Sequence, residues 1–180
     1  MAMIIDLDSP TEAIYKAYVD SNDDEERTYL GASIIGEECE SKLWYGFRWA
    51  MTPEQFDGRM LRLFQTGHHE EARMIDDLRR ASLEVWDRDS DTGEQFGVSD
   101  VGGYFRGHAD GFLVGVIEAP TTPHLFEAKT HNTKSFAKLK AEGVCKAKPL
   151  HYAQMQVYMH LMSLTRVLSR CPQGHRRSAR

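Results

Sequence analysis

The order of hydrophobic patterns along the chain constrains its fold more than any other feature. Apolar residues follow helical spacing to about Leu83, and short β-like segments then run to about Val116. A Pro-rich connection precedes one more strand-like segment at 124–130, and helical patterns follow. This order predicts an α/β (α+β) domain with a central mixed β-sheet of about four strands flanked by helices.

The predicted elements have bounds that can be compared with the structure. Thr52 and Pro53 form a good helix start, and Gly102-Gly103 is a hairpin turn candidate. We predict helices at 10–19, 41–51, 52–83, 133–142 and 149–168, and strands at 85–86, 95–98, 104–106, 111–114 and 124–130.

Length and composition indicate one globular domain. The chain has 180 residues, of which 41% are hydrophobic and 27% charged, and we place the domain at residues 1–168. No apolar stretch is long enough to cross a bilayer, and the chain start lacks the pattern of a secretory signal. We therefore expect a cytoplasmic protein without a membrane partner. Residues 169–180 are basic and poor in apolar side chains, which predicts a disordered tail.

The net charge of −5 argues against nucleic-acid binding, because phosphates attract Lys and Arg. The charge is uneven, however, and residues 129–148 hold a single acid, Glu142, among several lysines. Local charge can dominate over total charge because salt screens distant groups. The strip is therefore either a phosphate-binding surface or a solvated helix face; its lysines beyond Lys129 are Lys134, Lys138, Lys140, Lys146 and Lys148.

Two carboxylates and an amine lie in neighbouring strand-like segments. Asp110 stands in Gly107-His108-Ala109-Asp110-Gly111, and Glu127 and Lys129 lie two apart, so their side chains share one face of a strand. His108 alternates with Asp110 and can approach from the same side. A turn residue at Asp110 and a surface ion pair at Glu127-Lys129 are the simpler explanations.

Glu71 is the third acidic candidate. It shares a helix face with Met74, Ile75 and Leu78, which Met60 and Phe64 extend upstream, whereas Glu70 belongs to the charged opposite face. A carboxylate on a core-facing stripe needs a cation or hydrogen-bond donors. A salt bridge to an arginine at the core edge would also satisfy it. Gly67, one turn earlier, is expected to let the helix approach the sheet closely.

A polar residue also interrupts the apolar face of the last helix. Gln154 lies among Leu150, Val157 and Leu161, one turn from Tyr158. It could orient a lysine or a bound nucleotide, or it could make an ordinary buried hydrogen bond.

Four motifs now occur in one order: G-x-x-x-E on a helix, G-x-x-D-G entering a strand, E-x-K on the next strand, and Q-x-x-x-Y on a later helix. This set resembles the PD-(D/E)XK nuclease superfamily, with its restriction-endonuclease-like core. Its RecB-like, lambda-exonuclease-like and CRISPR-associated exonuclease branches are the most similar, over residues 31–165. The segment Ser33 to Tyr45 also looks like the amino-terminal segment of such nucleases.

The resemblance implies a metal-dependent DNA nuclease, an exonuclease of phage or bacterial recombination and repair. By position, Glu71, Asp110, Glu127 and the carbonyl of Ala128 would bind Mg²⁺ or Mn²⁺. Lys129 would be the catalytic lysine, with Gln154 and Tyr158 as the accessory helix motif and DNA bound along the lysine strip. A recombination partner protein or a homo-oligomer is the further partner it implies.

Two departures from the family pattern bear on these expectations. Iron–sulfur members pair one upstream cysteine with three near the carboxyl end, whereas Cys39, Cys145 and Cys171 are isolated here, so we expect no iron–sulfur cluster. Relatives usually continue past the Gln/Tyr helix, so we expect a chain shortened relative to them. If a sheet edge or helix face is thereby uncovered, we expect association or poor folding. The alternatives are a catalytically impaired, nuclease-derived DNA-binding or interaction module, and an unrelated α/β domain.

Overall fold

The computed structural model describes residues 8–22, 27–48, 50 and 55–170. Within these ranges, helices, a run of short strands and two further helices follow one another as predicted, with two strands added that were not predicted, one after the first helix and one after the last. The helices are α1 (Asp8–Asp20), α2 (Glu40–Phe47), α3 (Gly58–Arg80), α4 (Thr133–Ala147) and α5 (Pro149–Leu161). The strands are β1 (Leu30–Gly31), β2 (Glu84–Trp86), β3 (Gly97–Asp100), β4 (Phe105–His108), β5 (Gly111–Val114), β6 (His124–Ala128) and β7 (Val167–Arg170).

The described strands form two sheets rather than one. The four-stranded sheet has the order β2-β5-β6-β7, and only its β6–β7 pair is parallel. The second sheet has the order β1-β4-β3, with β1 parallel to β4. The predicted α+β class and mixed four-stranded sheet are therefore confirmed, whereas the second sheet and its two-residue β1 were not predicted.

Strand β6 is the centre of the packing, because it is buried on both faces. Leu125 and Phe126 are each 0% exposed and point to opposite sides. Phe126 packs with Met74 and other residues of α3, whereas Leu125 packs with Met155 and Tyr158 of α5. The sheet thus lies between α3 and α5, and a residue at the end of β6 is within reach of both helices.

Helix α3 differs from its prediction at the start and along its upstream face. It begins at Gly58, where Asp57 caps it by accepting a hydrogen bond from the Met60 amide at 2.7 Å. The predicted start at Thr52 lies outside the described residues, and residues 55–57 are not helical. Met60 and Phe64 are 41% and 42% exposed, so their predicted burial is wrong. Leu61 is the buried residue in this turn.

The predicted role of Gly67 is also wrong. A methyl group at this position would meet nothing within 4 Å, so the glycine does not permit a close approach of α3 to the sheet. The close approach occurs instead at Gly107 of β4. A Cβ atom there would lie 2.6 Å from Tyr158 Oη and 2.7 Å from Ala32 Cβ. Glycine at 107 therefore lets β4 pack directly on α5.

The final predicted helix is too long. Helix α5 ends at Leu161, and Ser163 turns the chain with a positive φ of 56°. Residues 167–170 then form β7 beside β6, with Glu127 paired to Ser169. The first two residues of the predicted tail, Ser169 and Arg170, therefore belong to the sheet, and 171–180 lie outside the described residues. No helix in the described ranges combines the length and apolar character needed to cross a membrane.

Candidate active site

Asp110 and Glu127 lie side by side where β5 begins and β6 ends. Gly111 pairs with Phe126 in the antiparallel register, and one further step sets Asp110 across from Glu127. The Ala128 amide donates a hydrogen bond to Asp110 Oδ2 at 2.7 Å. Residues 110 and 127 are therefore neighbours because of strand pairing, and the peptide of Ala128 fixes the Asp110 carboxylate.

Glu127 is a buried carboxylate with only half of its oxygens satisfied. The residue is 1% exposed. Its Oε1 accepts a hydrogen bond from Lys129 Nζ at 2.6 Å, as the shared strand face predicts. Its Oε2 is buried and has no hydrogen-bond partner among the described residues. A buried acceptor without a partner carries a desolvation cost, so this atom is well suited to a cation or to a donor from a ligand.

Glu71 approaches the same neighbourhood from α3. Burial, followed by the charge of Asp110, raises the pKa of Glu71 to about 7 against the opposing charges of Lys129 and Arg88. Glu70, its sequence neighbour, instead pairs with Arg73 in an i,i+3 surface ion pair. The helical periodicity therefore correctly placed Glu71 on the inner face of α3 and Glu70 on its solvent-exposed face.

The three carboxyl groups share one electrostatic environment. Burial raises the pKa of Glu127 to about 7, and the charges of Asp110 and Glu71 add to the increase. Burial also raises the pKa of Asp110, against the charge of Lys129 and the hydrogen bond from Ala128. Each group disfavours ionisation because it is partly removed from water, and Glu71 and Glu127 also have acidic neighbours. A bound cation would favour all three ionised forms.

Gln154 and Tyr158 lie one turn apart on α5, near this cluster. Both are buried, and Gln154 Nε2 donates to Tyr158 Oη at 3.3 Å. Burial raises the pKa of Tyr158 to about 12, and the charges of Glu127 and Asp110 contribute. Gln154 thus makes a buried hydrogen bond with Tyr158, which was the simplest of the alternatives that its sequence position left open.

Two histidines lie on the lysine side of the site. The ring centroids of His131 and His151 are 5.6 Å apart, and His131 Nδ1 lies 3.1 Å from Ser135 Oγ. Burial and the charge of Lys129 lower the pKa of His151 to about 4. Burial, together with Lys148 and Lys129, also lowers the pKa of His131. Neutral imidazole is therefore favoured for both at neutral pH.

Two of the three carboxylates open into a cleft with two adjoining lobes, of about 800 Å³ and 980 Å³, whereas the buried Glu127 lines neither lobe. Glu71 and Asp110 line both lobes, and Lys129 and His151 line the second. Of the predicted lysine strip, only Lys129 lines the cleft: within the described part of the chain, none of the five lysines beyond it lines either lobe. These residues lie on α4 and at its end, and they are Lys134, Lys138, Lys140, Lys146 and Lys148.

The basic residues that do line the first lobe are arginines, which the sequence analysis missed. Arg27, Arg88 and Arg106 lie there with Tyr29 and His108. Alternation along β4 could have identified Arg106, because residues 106, 108 and 110 lie on the same side of the extended chain. Arg27 and Arg88 lie in irregular segments whose sequence has no periodicity to reveal them.

The described residues contain no group of three or more His, Cys, Asp or Glu side chains arranged as a preformed metal site. The oxygens of the cluster described above, among them the unsatisfied Glu127 Oε2, are nevertheless the kind of donor that a hard divalent cation takes. Cys39 and Cys145 are exposed free thiols, and Cys171 lies outside the described residues. The expectation of no iron–sulfur cluster stays a prediction.

Comparison with known proteins leaves the family open. No family model matches the chain, and no curated protein matches it. A solved structure, that of SSO0001, is similar over 91% of this chain and 73% of its own, with 16% sequence identity and a TM-score of 0.47. A likeness this distant carries no argument about family or activity.

Proposed function

We propose that the protein is a Mg²⁺- or Mn²⁺-dependent deoxyribonuclease of the PD-(D/E)XK type that acts as an exonuclease. The observation that carries the proposal is the state of Glu127. This carboxylate is buried, it is bound to Lys129 through one oxygen, and its other oxygen has no partner among the described residues. Asp110 lies beside it in the sheet register. A structural ion pair gives no reason to leave that second oxygen unsatisfied.

The chemistry of the donor set suits a hard divalent cation. Mg²⁺ and Mn²⁺ prefer oxygen ligands, and we assign this role to Glu71, Asp110, Glu127 and the carbonyl of Ala128. Burial raises the pKa of all three carboxyl groups, and acidic neighbours raise the pKa of Glu71 and Glu127 further, so a cation would relieve this repulsion. When bound, such a metal polarises a phosphate oxygen and lowers the pKa of a coordinated water.

The residues of the chain supply positioning and charge. Lys129 Nζ, held 2.6 Å from Glu127 Oε1, would orient the attacking water and offset the negative charge that develops on the phosphate. The hydrogen bond from Ala128 keeps Asp110 from rotating away. Tyr158 and Gln154 are buried side chains of the wall that also carries Asp110, and charge interactions near buried groups are stronger than in solvent.

The proposal extends to location and partners. We infer a cytoplasmic enzyme that binds DNA and works with a recombination partner protein or as a homo-oligomer. The cleft lined by Glu71 and Asp110 is where we expect the DNA strand to be cut.

A nuclease assay tests this proposal directly. End-labelled linear DNA and circular DNA, each single- and double-stranded, would be incubated with Mg²⁺, with Mn²⁺ and with chelator. We expect metal-dependent loss of the linear substrates and little cleavage of the circular ones. Cleavage of circles would change the assignment to an endonuclease. Metal-dependent stabilisation and DNA binding without turnover on any substrate would favour the catalytically impaired module instead.

The raised pKa values predict that a rise in pH lowers the stability of the metal-free protein but increases its stabilisation by metal. The pKa of Glu71 and of Glu127 rises from 4.5 to about 7 on folding, so the folded state binds protons more tightly than the unfolded chain. Without metal, the free energy of unfolding should therefore fall as pH rises from about 4.5 to about 7. Mg²⁺ or Mn²⁺ should raise the melting temperature more at pH 8 than at pH 5, because protons compete with the metal.

Thermal denaturation at both pH values, with chelator and with each metal, measures this effect. The matched control is the Glu127→Gln variant, which removes one titrating group and one charged ligand. Its melting temperature should vary less with pH, and it should respond less to metal. An equal response to metal in the wild type at pH 5 and pH 8 would contradict the prediction.

A further inference from the structure

The wall of the cleft formed by β1 and β4 carries an arginine stacked on a tyrosine. Arg106 Cζ lies 5.4 Å from the centroid of the Tyr29 ring, and both residues line the first lobe. The parallel pairing of β1 with β4 aligns Gly31 with Arg106, and Tyr29, two residues before Gly31, lies near the arginine side chain. The pair is therefore built by the smaller sheet, outside the carboxylate cluster.

The guanidinium group of Arg106 is held in place by Gly103. Its Nε donates to the carbonyl of Gly103 at 2.9 Å. Gly103 has a φ of 89°, and a Cβ atom there would lie 3.0 Å from Arg106 Nη2, so only glycine fits without displacing the arginine. The side chain nevertheless remains exposed. An exposed arginine fixed in this way presents a flat, charged surface to whatever enters the lobe.

We propose that Arg106 and Tyr29 form a stacking site for an unpaired base of the nucleic-acid substrate, and that Arg27 and Arg88 bind the flanking phosphates. This inference rests on the proposed function, because it assigns the substrate strand to the same cleft. Bases stack on guanidinium planes and on aromatic rings, and arginine binds phosphate through paired donors. A base reaches such a surface only when it is not paired, so the substrate is single-stranded or has a frayed end.

The position of the pair fits a strand that ends at the carboxylates. Arg106, His108 and Asp110 follow one another at intervals of two along the chain, and all three line the lobe. Four residues of extended chain span at most about 14 Å. That distance corresponds to about four nucleotide steps at about 3.4 Å each. A base on Arg106 would therefore lie a few nucleotides from the phosphate that is cut.

Binding measured in chelator tests the inference without depending on cleavage. Fluorescence anisotropy would follow a labelled oligothymidylate and a labelled duplex of equal length. Arg106→Ala and Tyr29→Ala should each weaken binding of the single strand by about tenfold. Arg106→Lys should weaken it nearly as much, because lysine keeps the charge but lacks the flat group. The duplex should be much less affected.

The controls separate stacking from general charge loss. Arg62→Ala removes an exposed arginine that lines neither lobe and should bind like the wild type. Circular dichroism of each variant checks that it is folded. Wild-type affinity in Arg106→Lys, equal losses on duplex and single strand, or a larger loss in a Lys138→Ala/Lys140→Ala variant would each overturn the inference. If the wild type never cleaves DNA but Arg106 variants still lose single-strand affinity, the proposed nuclease function fails and the binding site stands.

Discussion

Replacing Asp110 by Asn should lower the rate of Mg²⁺-dependent DNA cleavage by roughly 100-fold to 1000-fold, as for loss of one preorganised electrostatic group. The amide keeps an oxygen that accepts the hydrogen bond from the Ala128 amide, so the local structure is retained. What is lost is a negative charge beside Glu127. The folded state should not lose stability, because Asp110 raises the pKa of both Glu71 and Glu127. Cleavage kinetics and thermal denaturation measure the two effects separately.

Two neighbouring glutamates give this prediction a matched control. Glu71→Gln should lose cleavage to a similar degree as Asp110→Asn, whereas Glu70→Gln should keep wild-type activity because Glu70 only pairs with Arg73 on the surface. Lys129→Ala should abolish cleavage. Cleavage at close to the wild-type rate in both Asp110→Asn and Lys129→Ala, with the fold intact, would remove the nuclease assignment.

Phe126→Ala should destabilise the fold by about 3–5 kcal/mol, the usual range for removing a buried aromatic ring. The residue is 0% exposed and lies in the cluster that joins α3 to the four-stranded sheet. The cavity would lie between Met74, Leu113 and Ile75. Because β6 is packed on both faces, its backbone is not free to move into the cavity. Because Glu127 follows Phe126 directly, the site should loosen at the same time. Urea denaturation measures the free energy of unfolding.

Ile117 provides the comparison for this variant. It is an apolar residue of the same domain, but it is 93% exposed, so Ile117→Ala should change the free energy of unfolding by less than about 0.5 kcal/mol. A small loss in Phe126→Ala, similar to that of Ile117→Ala, would show that the two-sided burial of β6 does not hold the fold together.

Periodicity in the sequence was sufficient to predict most helices and strands and to predict which face of its element each site residue occupies. The spacing of two in Glu127 and Lys129 predicted the side-chain contact that is seen at 2.6 Å. Helical spacing placed Glu71 on the inner face of α3 and Glu70 on the outer one. Both results follow from local geometry, because the 2.0 and 3.6 repeats decide which side chains share a face.

The errors occur where local pattern is ambiguous. The apolar residues from Leu161 to Leu168 fit a continuing helix as well as a turn and a strand. The turn at Ser163 and the pairing of β7 with β6 depend on a partner about forty residues earlier in the chain. Met60 and Phe64 have helical spacing with the core residues, but they lie beyond the part of α3 that packs on the sheet, so they remain exposed.

The sequence by itself determined which chemical groups are present and which face of its own element each one occupies, because both depend only on residues within a turn or two. Tertiary structure alone decided which partner each of these groups contacts. The strand register sets Asp110 against the Ala128 amide, burial leaves Glu127 Oε2 without a partner, and the smaller sheet brings Arg106 to Tyr29. These contacts join segments 18 to 77 residues apart, as the positions in the chain show. Their formation depends on how whole layers pack, which no local pattern encodes.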